Sequence, residues 1–126
     1  MEQRSKKRIL IVDDSEDMRE LLQQILEEEG AYELFFAENG SQAIEQANIN
    51  QPDLILMDMS LPGMSGWEAV TSLRKTVAFR ETPIVAVTAH VSQSDQERAY
   101  AAGCTSHLGK PFDVITVLDT ITKLLQ

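Results

Sequence analysis

Two short apolar runs, each followed at once by aspartate, constrain the fold of this chain more than any other feature. Residues 9–12 precede Asp13 and Asp14, and residues 54–57 precede Asp58. Continuous apolar runs of this length are typical of parallel strands that are buried on both faces. We therefore predict two buried strands that both end in carboxylates.

The rest of the chain alternates between strand and helix patterns. Further strands are predicted at residues 32–37, 83–87 and 105–109. Helices are predicted over residues 18–26, from Asn39 to about Ala47, from Ser65 to about Val77, from Ser92 or Ser94 to Ala102, and from Asp113 onward. The last helix is expected to carry an apolar face of Val114, Val117, Leu118, Ile121 and Leu124. Five such units imply an α/β fold with a parallel sheet and helices on both faces.

Length and charge exclude several classes of protein. The 126 residues fit one domain, and the net charge of −9 argues against direct binding to nucleic acid. No apolar run approaches the roughly 20 residues of a membrane span. The basic start lacks the apolar stretch of a secretory signal, and Cys104 is the only cysteine, so we expect a cytoplasmic protein.

Five polar side chains are expected to meet in one crevice. They follow four of the predicted strands: Asp13, Asp14, Asp58, Thr88 and Lys110. Each aspartate alone could be an ordinary turn or cap residue, but ligands of open α/β sheets bind beyond the carboxyl ends of strands. Three clustered carboxylates repel one another unless a cation lies among them, and a hard cation such as Mg²⁺ fits oxygen ligands. A lysine and a hydroxyl beside them suit phosphoryl transfer.

From Ile9 to Leu125, the chain resembles the receiver domains of bacterial two-component response regulators. The matching segments are residues 9–14, 54–58, 61–66 and 83–89, Ala102-Gly103, and residues 110–112. The resemblance implies a flavodoxin-like (βα)5 sandwich of three layers, with the strand order 2-1-3-4-5.

The resemblance also implies a role for each acidic residue. Asp58 resembles the residue that accepts the phosphoryl group. Asp13 and Asp14 resemble the acidic pair that holds Mg²⁺ together with Asp58, and the backbone carbonyl of Ser60 resembles a further metal ligand.

The remaining site residues belong to the expected switch. Thr88 and Lys110 resemble the hydroxyl and ammonium groups that approach the phosphoryl group, and Pro111 is expected to follow a cis bond. His107 stands where the family usually carries tyrosine or phenylalanine, so it is either a half-exposed strand residue or a pH-sensitive switch. Ser60 and His90 occupy variable family positions near the phosphoryl group and are possible modulators.

Together these features predict a phosphorylation switch within a single receiver domain, residues 1–126, without an output domain. A histidine kinase or phosphotransfer protein would supply the phosphoryl group, and a downstream protein would bind the fourth helix, fifth strand and fifth helix. The chain is either a stand-alone receiver or a domain excised from a longer protein, and the start at Met1 favours the first. The domain would catalyse its own phosphorylation and dephosphorylation but would not turn over a separate substrate.

Two alternatives share parts of this pattern. An aspartyl phosphatase would need a second acid two residues after its nucleophile, where Ser60 stands. A flavodoxin-like electron carrier would need a phosphate-binding loop rich in Ser, Thr or Gly after the first strand, where residues 13–17 are mostly acidic.

Overall fold

The computed structural model describes residues 6–89 and 92–126 and contains one five-stranded sheet. The strands are β1 (Lys7–Val12), β2 (Tyr32–Ala37), β3 (Leu54–Asp58), β4 (Ile84–Thr88) and β5 (Ser106–Gly109). Their order is β2-β1-β3-β4-β5, and every neighbouring pair is parallel. This confirms the predicted fold class and strand order.

Five helices cover the two faces of the sheet. They are α1 (Glu16–Glu27), α2 (Gly40–Asn50), α3 (Gly66–Arg74), α4 (Gln93–Ala102) and α5 (Val114–Leu124). Alternate side chains of β1 point to opposite faces, so Ile9 and Ile11 pack with α1 and α5, while Leu10 and Val12 pack with α2, α3 and α4. The resulting three layers confirm the predicted sandwich.

The helix starts follow the capping signals of the sequence. One polar side chain precedes each helix and accepts a hydrogen bond from a backbone N–H three residues later: Ser15, Asn39, Ser65, Ser92 and Asp113. Of the two candidate starts for α4, Ser92 is therefore the cap.

The predicted end of α3 is wrong. The helix ends at Arg74, and Val77–Phe79 form a separate 3₁₀ helix in which Phe79 is buried. The guanidinium of Arg74 donates to the carbonyls of Phe79 (2.6 Å) and Thr82 (2.7 Å), which folds this connection back over the helix end.

Other predicted boundaries differ by a few residues. Helix α2 continues beyond Ala47 to Asn50, where Gln51 adopts a left-handed conformation (φ 47°) and ends it. Strand β4 begins after Pro83, and strand β5 begins one residue later than predicted. Val114 is 49% exposed, because the buried stripe of α5 consists of Val117 and Ile121.

Helix α4 is polar and has few buried anchors. Of its residues, all of them described, only Ala99 is buried. The guanidinium carbon of Arg98 lies 3.9 Å from the ring centroid of Trp67 on α3, a cation–π contact. The helix ends at Gly103 (φ 117°), and Cys104, buried as the sequence suggested, leads toward β5.

Within residues 6–89 and 92–126, the structure contains no helix that is long and apolar enough to span a membrane.

Candidate functional site

Three aspartates meet at the carboxyl ends of β1 and β3. Val12 lies beside Met57 in the sheet, so the next residues along the two strands, Asp13 and Asp58, are neighbours. Asp13, Asp14 and Asp58 each offer a carboxylate oxygen, and these three atoms all lie within 4.8 Å of one another. Asp13 and Asp58 are buried, whereas Asp14 is exposed. The cluster predicted from sequence is present.

The carboxylate of Asp58 is buried at the floor of this crevice. Burial raises the pKa of Asp58, and the nearby carboxylates of Asp13 and Asp14 raise it further. The backbone N–H of Ser60 donates to Asp58 Oδ1 (2.9 Å), and this bond and the charge of Lys110 lower the pKa in part. The ionised form of Asp58 is therefore costly until more positive charge enters the crevice.

Lys110 brings a cation to the carboxylates from the end of β5. Its Nζ lies 3.1 Å from Asp13 Oδ2 and 3.7 Å from Asp58 Oδ2. The Lys110–Pro111 peptide bond is cis, as predicted. The backbone N–H of Lys110 donates to the carbonyl of Thr88 (2.8 Å), and Thr88 is buried at the end of β4. All five strand-end residues therefore lie at one edge of the sheet.

Asp13 has a bonding partner at each polar atom. Its N–H donates to the carbonyl of Ala37 (3.1 Å), and its Oδ1 accepts from the N–H of Ser15 (2.9 Å). Its Oδ2 faces Lys110, and its carbonyl accepts from Arg19 Nη1 at 2.7 Å. The sequence analysis did not identify Arg19 as part of the site. The feature that could have indicated it is a basic residue one turn into a helix whose first turn is otherwise acidic.

The donor set suits a hard divalent cation. All three side chains offer oxygen, and each Mg²⁺–oxygen bond is about 2.0–2.1 Å long, so small movements of oxygens within 4.8 Å of one another can enclose the ion. The residues present therefore fit Mg²⁺. Ser60 is exposed, and its carbonyl remains a predicted ligand.

Of the two histidines predicted to affect the switch, the structure describes one. His107 on β5 is half-buried, and its Nδ1 shares a 3.0 Å hydrogen bond with the hydroxyl of Tyr100 on α4. The two rings meet edge to face, with centroids 6.0 Å apart. The predicted switching role of His107 stays a prediction. His90 lies outside the described residues.

The same fold and strand-end residues point to one protein family, and comparison with known proteins agrees. The family model described as the response regulator receiver domain matches residues 9–122. The polar-differentiation response regulator DivK of Brucella anthropi is 37% identical over 119 residues, which cover 94% of this chain and 96% of the relative.

Solved structures show the same likeness. The chemotaxis protein CheY4 of Vibrio cholerae superimposes with a TM-score of 0.90 at 32% identity, covering 95% of this chain and 99% of that one. The receiver domain of the sensor histidine kinase PA1611 of Pseudomonas aeruginosa has a magnesium ion coordinated in its active site cleft; its TM-score is 0.88 at 30% identity, covering 95% and 98%. This chain belongs to the family of response regulator receiver domains of two-component systems.

Proposed function

We propose that this receiver domain is a phosphorylation-dependent switch in which Asp58 accepts a phosphoryl group from a histidine kinase or a histidine phosphotransfer protein. The observation that carries the proposal is the buried carboxylate of Asp58, which lies beside two other aspartates and the ammonium of Lys110. A carboxylate oxygen of Asp58 attacks phosphorus, the bond from phosphorus to the donor nitrogen breaks, and that nitrogen keeps the electron pair.

Asp13, Asp14, Asp58 and the carbonyl of Ser60 are the proposed ligands of Mg²⁺. Bound Mg²⁺ supplies positive charge to the carboxylates and to the transferring phosphoryl oxygens. The protein contributes mainly position: the Ser60 N–H orients Asp58, and Lys110 stands ready to pair with a phosphoryl oxygen. The same groups would serve self-catalysed hydrolysis, without turnover of a separate substrate.

The proposed signal leaves the crevice through β4 and β5. Thr88 at the end of β4 would turn toward the phosphoryl group. His107 on β5 pairs with Ala86, two residues before Thr88 on β4, and would change position together with α4. A ligand or modification shifts such an equilibrium by its different affinity for the two states. A downstream protein would then bind the surface of α4, β5 and α5. We further propose that the chain acts in the cytoplasm as a single domain, with Ser60 and His90 as modulators.

Phosphorylation with a small phosphodonor tests the acceptor. Incubation with Mg²⁺ and acetyl phosphate should add one phosphoryl group per chain, measured by intact mass, and Asp58→Asn should abolish the addition. Asp119→Asn makes the same chemical change on exposed α5 and should be phosphorylated like the parent. Circular dichroism checks that both variants are folded. Persistence of the added mass in Asp58→Asn would overturn the assignment.

A further inference from the structure

We propose that Arg19 is a positioning residue for the metal site, which it orients by holding the backbone of Asp13. Arg19 lies on α1 and is half-buried, and its Nη1 donates to the carbonyl oxygen of Asp13 at 2.7 Å. A hydrogen bond from a guanidinium is charge-assisted and stronger than a neutral one. The inference rests on the proposed use of Asp13 and Asp14 as ligands of Mg²⁺.

The bond acts on the peptide group that joins the two aspartates. The carbonyl of Asp13 and the N–H of Asp14 belong to one planar unit, so fixing the carbonyl also fixes the direction in which Asp14 leaves the strand. Asp14 depends on this constraint, because its exposed carboxylate has no hydrogen-bond partner among residues 6–89 and 92–126. Asp13, by contrast, also has Ser15 and Lys110 on its carboxylate.

The surroundings of Arg19 favour this role over a general electrostatic one. On the same helix, Glu16 lies three residues before Arg19 and Glu20 one residue after it. In the described part of the chain, however, no ion pair joins Arg19 to a carboxylate. Arg19 therefore acts through the position of the backbone.

The test compares Mg²⁺ affinity in three variants of the full chain. Arg19→Met keeps the length and apolar stem of the side chain but removes every donor, and Arg19→Lys restores one charged donor. Arg80→Met makes the same change at an exposed arginine beyond the end of α3. Loss of an outer-shell partner typically weakens metal binding by about 10- to 100-fold, so we expect at least a tenfold rise in the Mg²⁺ Kd for Arg19→Met.

Calorimetric titration with MgCl₂ measures the affinity, and NMR of the Asp14 amide reports on the peptide group itself. Arg19→Lys should recover part of the affinity, Arg80→Met should match the parent, and the Asp14 amide resonance should move only in the Arg19 variants. Urea unfolding in EDTA identifies variants that do not fold. If Arg19→Met is unfolded, Arg19→Gln replaces it, because the shorter amide cannot keep the same bond.

The two proposals fail in different ways. A folded Arg19→Met that binds Mg²⁺ like the parent overturns the positioning role, even if Asp58 is phosphorylated. A parent chain that binds Mg²⁺ through an Arg19-dependent site but is not phosphorylated on Asp58 overturns the proposed function and leaves the positioning role intact.

Discussion

The acidic crevice and the neighbouring α4–β5 region are built in opposite ways. In the crevice, strand ends carry buried groups, and every polar atom of Asp13 has a partner. Helix α4 buries only Ala99, and two side-chain pairs, Trp67–Arg98 and Tyr100–His107, connect it to α3 and β5. Regions with few buried apolar contacts open at lower free energy than core strands. The domain thus combines a rigid site with a weakly held helix beside it.

This difference suggests how a small chemical change could become a surface change. A phosphoryl group added at the rigid crevice cannot be accommodated by moving the buried strands, because close-packed cores resist displacement. The weakly held α4 can move at lower free-energy cost. Three predictions test whether the two regions differ in this way, from the largest expected effect to the smallest.

Gly66→Ala should be the most damaging of these changes. A Cβ at Gly66 would lie 2.6 Å from the carbonyl oxygen of Asp58 and 2.6 Å from Cα of Met59, both backbone atoms that cannot give way easily. Overpacking typically costs about 1–3 kcal/mol, and we expect urea unfolding to show a loss in the upper part of that range. Gly40→Ala is the matched control, because the three atoms nearest its Cβ, all at 3.0 Å, belong to the side chain of Met64 and not to the backbone. Equal losses in the two variants would contradict a rigid crevice.

Asp58→Asn should stabilise the protein at neutral pH. Because burial raises the pKa of Asp58 above 3.8, the folded state holds this proton more tightly than the unfolded state. Stability therefore falls as pH rises from about 3.8 through the raised pKa, and the neutral amide avoids this loss. Urea midpoints should favour Asp58→Asn at pH 7, with the advantage shrinking toward pH 3.

Adding Mg²⁺ to the same urea unfolding measurements gives a second test of the crevice. Millimolar MgCl₂ should stabilise the parent by relieving carboxylate repulsion, should stabilise Asp58→Asn less, and should not stabilise Asp14→Ala. Asp119→Asn, on exposed α5, should follow the parent throughout. An Asp58→Asn variant that is less stable than the parent at pH 7 would show that burial of the ionised carboxylate does not destabilise the folded protein.

Tyr100→Phe should have the smallest effect on stability. It removes the hydroxyl that bonds to Nδ1 of His107, and because Tyr100 is 45% exposed we expect a cost below about 1 kcal/mol. NMR should nevertheless show a changed response of the His107 ring to beryllofluoride, while the Mg²⁺ affinity stays that of the parent. A change in Mg²⁺ affinity as large as that of Arg19→Met would show that the two regions are not separable.

The sequence predicted those parts of the molecule that depend on local pattern. Buried runs ending in aspartate placed Asp13 and Asp58 side by side, because the register pairs Ile9 with Leu54 and Val12 with Met57, so both apolar runs end at the same level of the sheet. The bounds of β2, residues 32–37, were predicted without error. The presence of Lys110 in the crevice was predicted from its place after the last strand, and the structure adds its contacts with the carboxylates of Asp13 and Asp58.

Two features that the sequence did not predict, the end of α3 and the role of Arg19, share one cause, which is an arginine side chain that bonds to backbone carbonyls outside its own helix. Arg74 donates to the carbonyl of Gly103, 29 residues away, as well as to the loop that follows α3, and no periodicity in residues 65–77 shows where that helix must end. Arg19 looked like one more charge on a polar helix until its bond to Asp13 was visible. Such contacts are set by tertiary geometry, and a single sequence does not encode them locally.

The buried thiol that follows α4 offers a way to measure how often this region opens. Burial raises the pKa of Cys104 to about 11, and its N–H is tied to the carbonyl of Ala99 in the last turn of the helix. Since the thiolate is the reactive form, burial and the raised pKa should keep alkylation at neutral pH slow until the helix end opens. As the only cysteine in the chain, Cys104 would report through its alkylation rate how often the end of α4 opens, with no substitution.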